Sequence, residues 1–184
     1  MRKFIGSVLM AVLAAGVGAG VGASPALAAN HVLPAPGVFY EVYPPYISPT
    51  SPKCVDVINA SKLNGAALQI NHCNSNPAQL FQFIALGDDT YLVQNRNSGK
   101  CWYLPGDDGS AIRQKTCDSG EATQVWRINS LLENGDFYLS NKASTGMCLG
   151  AADLSGQDHT LVTVQFCGPG TPDFFNRTQT LRLG

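Results

Sequence analysis

Charge is scarce in this sequence: Asp, Glu, Lys and Arg make up 14% of its 184 residues, and 12 Lys/Arg against 13 Asp/Glu leave a formal net charge of -1. Such a chain lacks the cationic surface that holds polyanions through counterion release, so no nucleic-acid partner is expected. Histidine is rarer still, at 3 residues, with His72 and His159 isolated and no C-x2-C or C-x2-H spacing. Neither a metal site nor a cofactor is therefore expected. G-x-S-x-G, H-E-x-x-H and phosphate-loop motifs are absent. The acid pairs Asp88-Asp89 and Asp107-Asp108 are chain neighbours in Gly-flanked turns, which suits solvated loops and not a glycosidase dyad. No enzyme is expected. Long apolar runs are missing after residue 29, so the rest of the chain offers no membrane span.

Residues 1–29 are different. A cationic start (Arg2, Lys3), an apolar middle and a small-residue exit at Ala26-Leu27-Ala28-Ala29 form a secretory signal peptide. A membrane-spanning helix is the competing reading, but Gly16, Gly18, Gly20 and Gly22 interrupt the stretch and no stop-transfer charges follow. The expected product is secreted and extracellular, with an Ala/Gly-rich leader of bacterial character; the sequons at Asn59 and Asn176 are then expected to be bare. Residues 30–37 read as an N-terminal extension and 38–184 as one domain.

That domain has what turns require. Gly (19) and Pro (11) are plentiful beside a 45% hydrophobic fraction, a combination that fits a turn-rich all-β domain and neither a helical bundle nor a disordered chain. Its 6 cysteines fall at 54, 73, 101, 117, 148 and 167. Six cysteines allow fifteen pairings. The opening members at 54, 101 and 148 recur every 47 residues, each followed by a second cysteine after 19, 16 and 19 positions, which selects Cys54–Cys73, Cys101–Cys117 and Cys148–Cys167. Each bridge closes a short loop and contributes about 3 kcal/mol by the chain-entropy estimate.

The repeat extends past cysteine. Tyr91 and Tyr138 each lie ten positions ahead of an opening cysteine, and Gln79-Leu80-Phe81, Gln124-Val125-Trp126 and Asp173-Phe174-Phe175 follow the closing ones, their last residues 8, 9 and 8 positions on. About four short strands fit each repeat, at roughly 38–86, 87–133 and 134–184, hence about twelve in all. No unit of this size buries its own apolar face, so three must pack around a shared centre as a closed three-fold β structure. Phe81, Trp126 and Phe175 are expected as core plugs, with Val55, Trp102 and Leu149 pointing inward beside their cysteines.

Three repeats, each with an internal cysteine pair and a Q-x-W-like ending, resemble the ricin B-type lectin domain, a β-trefoil; residues 54–81 carry the likeness best. The resemblance implies a non-catalytic carbohydrate-binding module for galactose- or xylose-type glycans. It implies a site made of an acid two after the opening cysteine, a polar residue four before the closing one, a ring two before it, and polar groups near the Q-x-W. In the first repeat those positions give Asp56, Gln69, Asn71, Asn76 and Gln79, with Asn71 standing where the ring belongs. A carboxylate accepts hydrogen bonds from sugar hydroxyls while a ring packs against the pyranose C–H face. The second repeat offers Tyr103, Arg113 and Lys115, the third Gly150, Thr163 and Gln165, and neither keeps the pattern. A substitute ring is sought in Trp102, Tyr103 or the tyrosines Tyr40, Tyr43 and Tyr46, which either share one face of a polyproline-like segment in 34–52 or belong to the first strand. Arg113 and Lys115 either attract an anionic glycan or carboxylate or are simply solvated. The alternative function is a trefoil scaffold that binds or inhibits a secreted or cell-surface protein.

Overall fold

The computed structural model describes residues 33–48, 50–131, 135–153, 155–167 and 179–184. The expected signal segment, Asp173–Phe175 and Asn176 lie outside the described residues. Around the first cystine run β1 (Tyr40–Tyr43), β2 (Lys53–Val57), β3 (Leu68–His72) and β4 (Leu80–Gly87). The second has β5 (Thr90–Asn95), β6 (Cys101–Tyr103), β7 (Arg113–Lys115) and β8 (Trp126–Leu131); the third has β9 (Phe137–Asn141), β10 (Ser144–Ala151), β11 (Thr160–Phe166) and β12 (Arg182–Leu183). All three bridges join the cysteines that the spacing pairs.

The outer strands of each repeat build a barrel. Antiparallel pairs run β12-β1-β4-β5-β8-β9, and a bridge between Phe137 and Leu181 closes the ring. The inner strands form the hairpins β2–β3, β6–β7 and β10–β11. These meet through three equivalent contacts, Ala67 with Arg113, Ala111 with Thr163 and Leu161 with Gln69. In each, a residue two before the polar position of one repeat faces the polar position of the next. The candidate site positions are thus held at the junctions between repeats.

Alternation along the strands fills the centre. Val55, Trp102 and Leu149 are all buried as expected, and Phe81 and Trp126 are fully enclosed. Trp102 stands edge-on to both, at 4.8 Å from Phe81 and 6.3 Å from Trp126. Burial of each such ring contributes on the order of 2 to 3 kcal/mol before entropy is subtracted.

Two alignments within the repeat need correction. The partner of Tyr91 under the symmetry is Phe137 and not Tyr138, because Asn141 at the end of β9 lies seven positions before Cys148 whereas Asn95 at the end of β5 lies six before Cys101; Phe137 is buried and Tyr138 only half-buried. The third Q-x-W equivalent is Gln179-Thr180-Leu181. Gln79, Gln124 and Gln179 each donate Nε2 to the carbonyl of the residue before the closing cysteine, His72 at 3.0 Å, Thr116 at 3.1 Å and Phe166 at 2.7 Å. Leu181 pairs with Phe137 as Trp126 pairs with Tyr91 and Phe81 with Tyr40, so Leu181 takes the place expected for Phe175. Tyr40 and Tyr43 belong to β1, so the three N-terminal tyrosines do not form a polyproline stripe.

Candidate functional site

Val55 and Val57 of β2 turn to the core, which sends Asp56 to the opposite face. Register pairs Asp56 with Gln69 and Cys54 with Asn71 across β2 and β3, and on the far side of β3 pairs Gln69 with Leu161 of β11. Directly opposed residues share a face, as do residues two apart, so Asp56, Gln69, Asn71 and Leu161 line one surface.

Both amides are aimed at the acid. Gln69 Nε2 and Asn71 Nδ2 donate to Asp56 Oδ2 at 3.3 and 3.2 Å, and Asn71 Oδ1 in turn accepts from the His72 backbone N–H at 2.9 Å. An ionised carboxylate has about four acceptor positions. Two are used on Oδ2, and Oδ1 accepts no bond from the described residues, although Asp56 as a whole is only 8% exposed.

A residue with no signal in the sequence completes the cluster. His159 Nδ1 lies 3.1 Å from Gln69 Oε1. A carboxylate only accepts, so Gln69 must offer Asp56 its NH2 group and His159 its carbonyl, and the imidazole must donate from Nδ1. Three side chains thus fix one another's orientation. The connection between β10 and β11 that carries His159 is fastened to the first repeat: His159 N–H donates to Ile70 O at 2.9 Å, and Lys53 Nζ pairs with Asp158 Oδ1 at 2.6 Å. Lys53, by hydrogen bond and charge, holds the Asp158 carboxyl below its ordinary value. Gly156 permits the close approach, since a Cβ there would come within 2.9 Å of Ser48 Cβ.

The other two first-repeat candidates have local duties. Gln79 is 1% exposed and uses both ends, donating to His72 O and accepting from Asn74 N–H at 2.9 Å. Asn76 caps the short 3-10 turn Pro77–Gln79, its Oδ1 accepting from Ala78 N–H at 3.0 Å. The structure therefore gathers Asp56, Gln69 and Asn71 on one face and gives Asn76 and Gln79 bonds to the backbone around the closing cysteine.

Equivalent positions in the other repeats are occupied from within. In the second, Lys115 Nζ sits 4.5 Å from the Tyr103 ring centroid and pairs with Glu121, while Arg113 donates to Gly65 O at 2.7 Å. These cations are partnered and not merely solvated, and Tyr103 is covered. Hydrogen bonds from Lys115, then Thr123 and Gln124, bring the Glu121 carboxyl down from 4.5 to about 2. In the third repeat Gly150 faces Thr163, and Gln165 Nε2 donates to Ala151 O and Thr163 Oγ1 at 3.1 and 3.2 Å. Trp102 is fully buried and cannot serve as a sugar platform. Glu41, Cys54 and Cys73 lie together, but both sulfurs are spent in a disulfide and offer no thiolate to a metal. Among the described residues no helix is long and apolar enough to cross a membrane.

Three comparisons bear on this geometry. The family model of the ricin-type beta-trefoil lectin domain matches residues 46–174. No curated protein matches the chain. Among solved structures, the designed 3-fold symmetric protein ThreeFoil is 27% identical, with a TM-score of 0.68 over 79% of this chain and 96% of its own. The C-half of the earthworm R-type lectin, in complex with GalNAc, is 9% identical, with a TM-score of 0.58 over 79% and 98%. The exo-beta-1,3-galactanase 1,3Gal43A from Clostridium thermocellum is 18% identical, with a TM-score of 0.68 over 82% of this chain but only 31% of that one. The fold is shared with all three. With its three cystine-closed repeats, its buried glutamines and a family match over most of its length, the chain belongs to the ricin-type β-trefoil lectin family.

Proposed function

We propose that the chain is an exported, non-catalytic glycan-binding module with one working sugar site, in the first repeat, for galactose- or xylose-type residues. The observation that carries this reading is the Asp56 carboxylate, braced by Gln69 and Asn71 through one oxygen with the other left to accept. Two adjacent sugar hydroxyls match that acceptor, and the preset amides lower the ordering cost of binding. A relative of the same fold is in complex with GalNAc and another is an exo-beta-1,3-galactanase, which favours galactose among the candidate sugars. Export is supported by the order of charge, apolar run and small residues in 1–29 and by three cystines, which persist in oxidising compartments.

NMR titration of the chain with methyl β-galactoside and xylo-oligosaccharides tests this. The expected result is millimolar-range binding with shifts centred on β2 and β3, abolished in Asp56→Asn. Wild-type binding that survives Asp56→Asn moves the site elsewhere, and no binding on a broad glycan array ends the reading. Closure of the second repeat by Lys115 and Glu121 favours one alternative, a scaffold that grips a secreted protein by its loops. Such a partner would be captured unchanged in the presence of excess galactoside.

A further inference from the structure

We infer that the imidazole of His159, supplied by the third repeat, is the ring wall of the first repeat's sugar site and packs against the C–H face of a galacto-configured pyranose; this rests on the reading of Asp56 given above. The ring position within the first repeat is held by Asn71, whose amide is committed at both ends, to Asp56 and to the His72 N–H. A pyranose gripped by Asp56 hydroxyl to oxygen still presents an apolar face. It needs a flat partner on the same surface.

His159 meets that need in place and in chemistry. It shares the face of Asp56 and Gln69 and is exposed, and its Nδ1–H is spent on Gln69 Oε1, so what remains open is the ring face and the Nε2 edge. Its backbone lies at φ 72, a left-handed conformation that a non-glycine residue keeps only when its surroundings fix it. Those fixings are the Ile70 carbonyl, the Lys53–Asp158 pair and the bonds from Thr160 N–H and Oγ1 to Gln157 O. Beside it Leu161, 39% exposed and opposite Gln69, continues the apolar surface. In a galacto-configured ring the axial O4 leaves the C–H bonds of C3, C4 and C5 on one side, which gives such a surface something continuous to cover.

The experiment compares the full chain with Asp56→Asn, His159→Asn and His159→Phe, titrated with methyl β-galactoside and followed by NMR. Asn tolerates the left-handed backbone, so His159→Asn removes the ring without forcing the loop to move. It should weaken binding about threefold to tenfold, and His159→Phe, which keeps a ring face but gives up the Nδ1–H bond to Gln69, should lose less than His159→Asn. Saturating the His159 ring protons should transfer to the sugar's C3, C4 and C5 protons. Unchanged or tighter binding in His159→Asn, with Asp56→Asn still inactive, would overturn the ring assignment and leave the Asp56 site standing. Wild-type binding indifferent to Asp56→Asn, or no wild-type binding at all, overturns both.

Discussion

Lys115 is held between a ring and a carboxylate, and that small arrangement shows how one position in the repeat diverges. Where the first repeat keeps Asp56 with one carboxylate oxygen unbonded, the second puts Tyr103 and covers it with a cation that Glu121 neutralises. The Glu121 carboxyl titrates near 2 when folded and near 4.5 otherwise, so its stabilisation is complete above about pH 4.5 and disappears as pH falls toward 2. Side-chain exposures of 28% and 35% leave both partners partly in water, which limits the pair to about 1 kcal/mol or less. Urea melts between pH 6 and pH 2 should therefore show a stability loss that is shallower in Glu121→Gln by up to that amount. The slope that remains has a second source in Asp158, whose carboxyl is lowered by Lys53 and loses its contribution in the same direction. An identical slope in Glu121→Gln and wild type would show that the pair does not form in solution.

The closing segment of each repeat is fastened by a glutamine, and here the sequence misleads at one copy only. Gln79 and Gln124 lie six and seven residues after their cysteines, but Gln179 lies twelve after Cys167. Loop closure costs little more as a segment lengthens, so spacing past the cystine is a weak guide, whereas the cystine itself is pinned by a hairpin and keeps its period. Asp56 is legible for the same reason, being fixed two residues from a cysteine on one strand. His159 is not, because its partner Gln69 is 90 residues away and only the three-fold packing brings them together. If Gln179 is the third fastening, Gln179→Ala takes the donor from the Phe166 carbonyl and empties a fully buried position, and should cost about 1 to 3 kcal/mol, comparable to Gln124→Ala. Chemical denaturation of both variants checks this. A Gln179→Ala loss below about 0.5 kcal/mol beside a full loss for Gln124→Ala would break the equivalence.

Closure of the barrel depends on its shortest strand. β12 has two residues, yet it pairs with β1, and just before it Leu181 bridges to Phe137. Arg182 Nε pairs with Asp136 Oδ1 at 2.5 Å, where the Asp136 side chain is 0% exposed and the Arg182 side chain 36%. That hydrogen bond is the chief reason the Arg182 guanidinium is held above its ordinary value. Replacing Arg182 removes one charged partner of a buried carboxylate, so Arg182→Met should lose about 1 to 3 kcal/mol, and adding Asp136→Asn should recover part of it. The seam joins the third repeat to the first, as the Asp56–Gln69–His159 cluster does. The tryptophans, Trp102 and Trp126, are both in the second repeat and report on the shared core. Because the repeats bury one shared centre, tryptophan fluorescence and far-ultraviolet circular dichroism should follow a single transition in the wild type and move together in Arg182→Met. An early loss of dichroism with the fluorescence transition unmoved would mean that the third repeat peels away by itself, and the barrel would then be held by its hairpins and not by its closure.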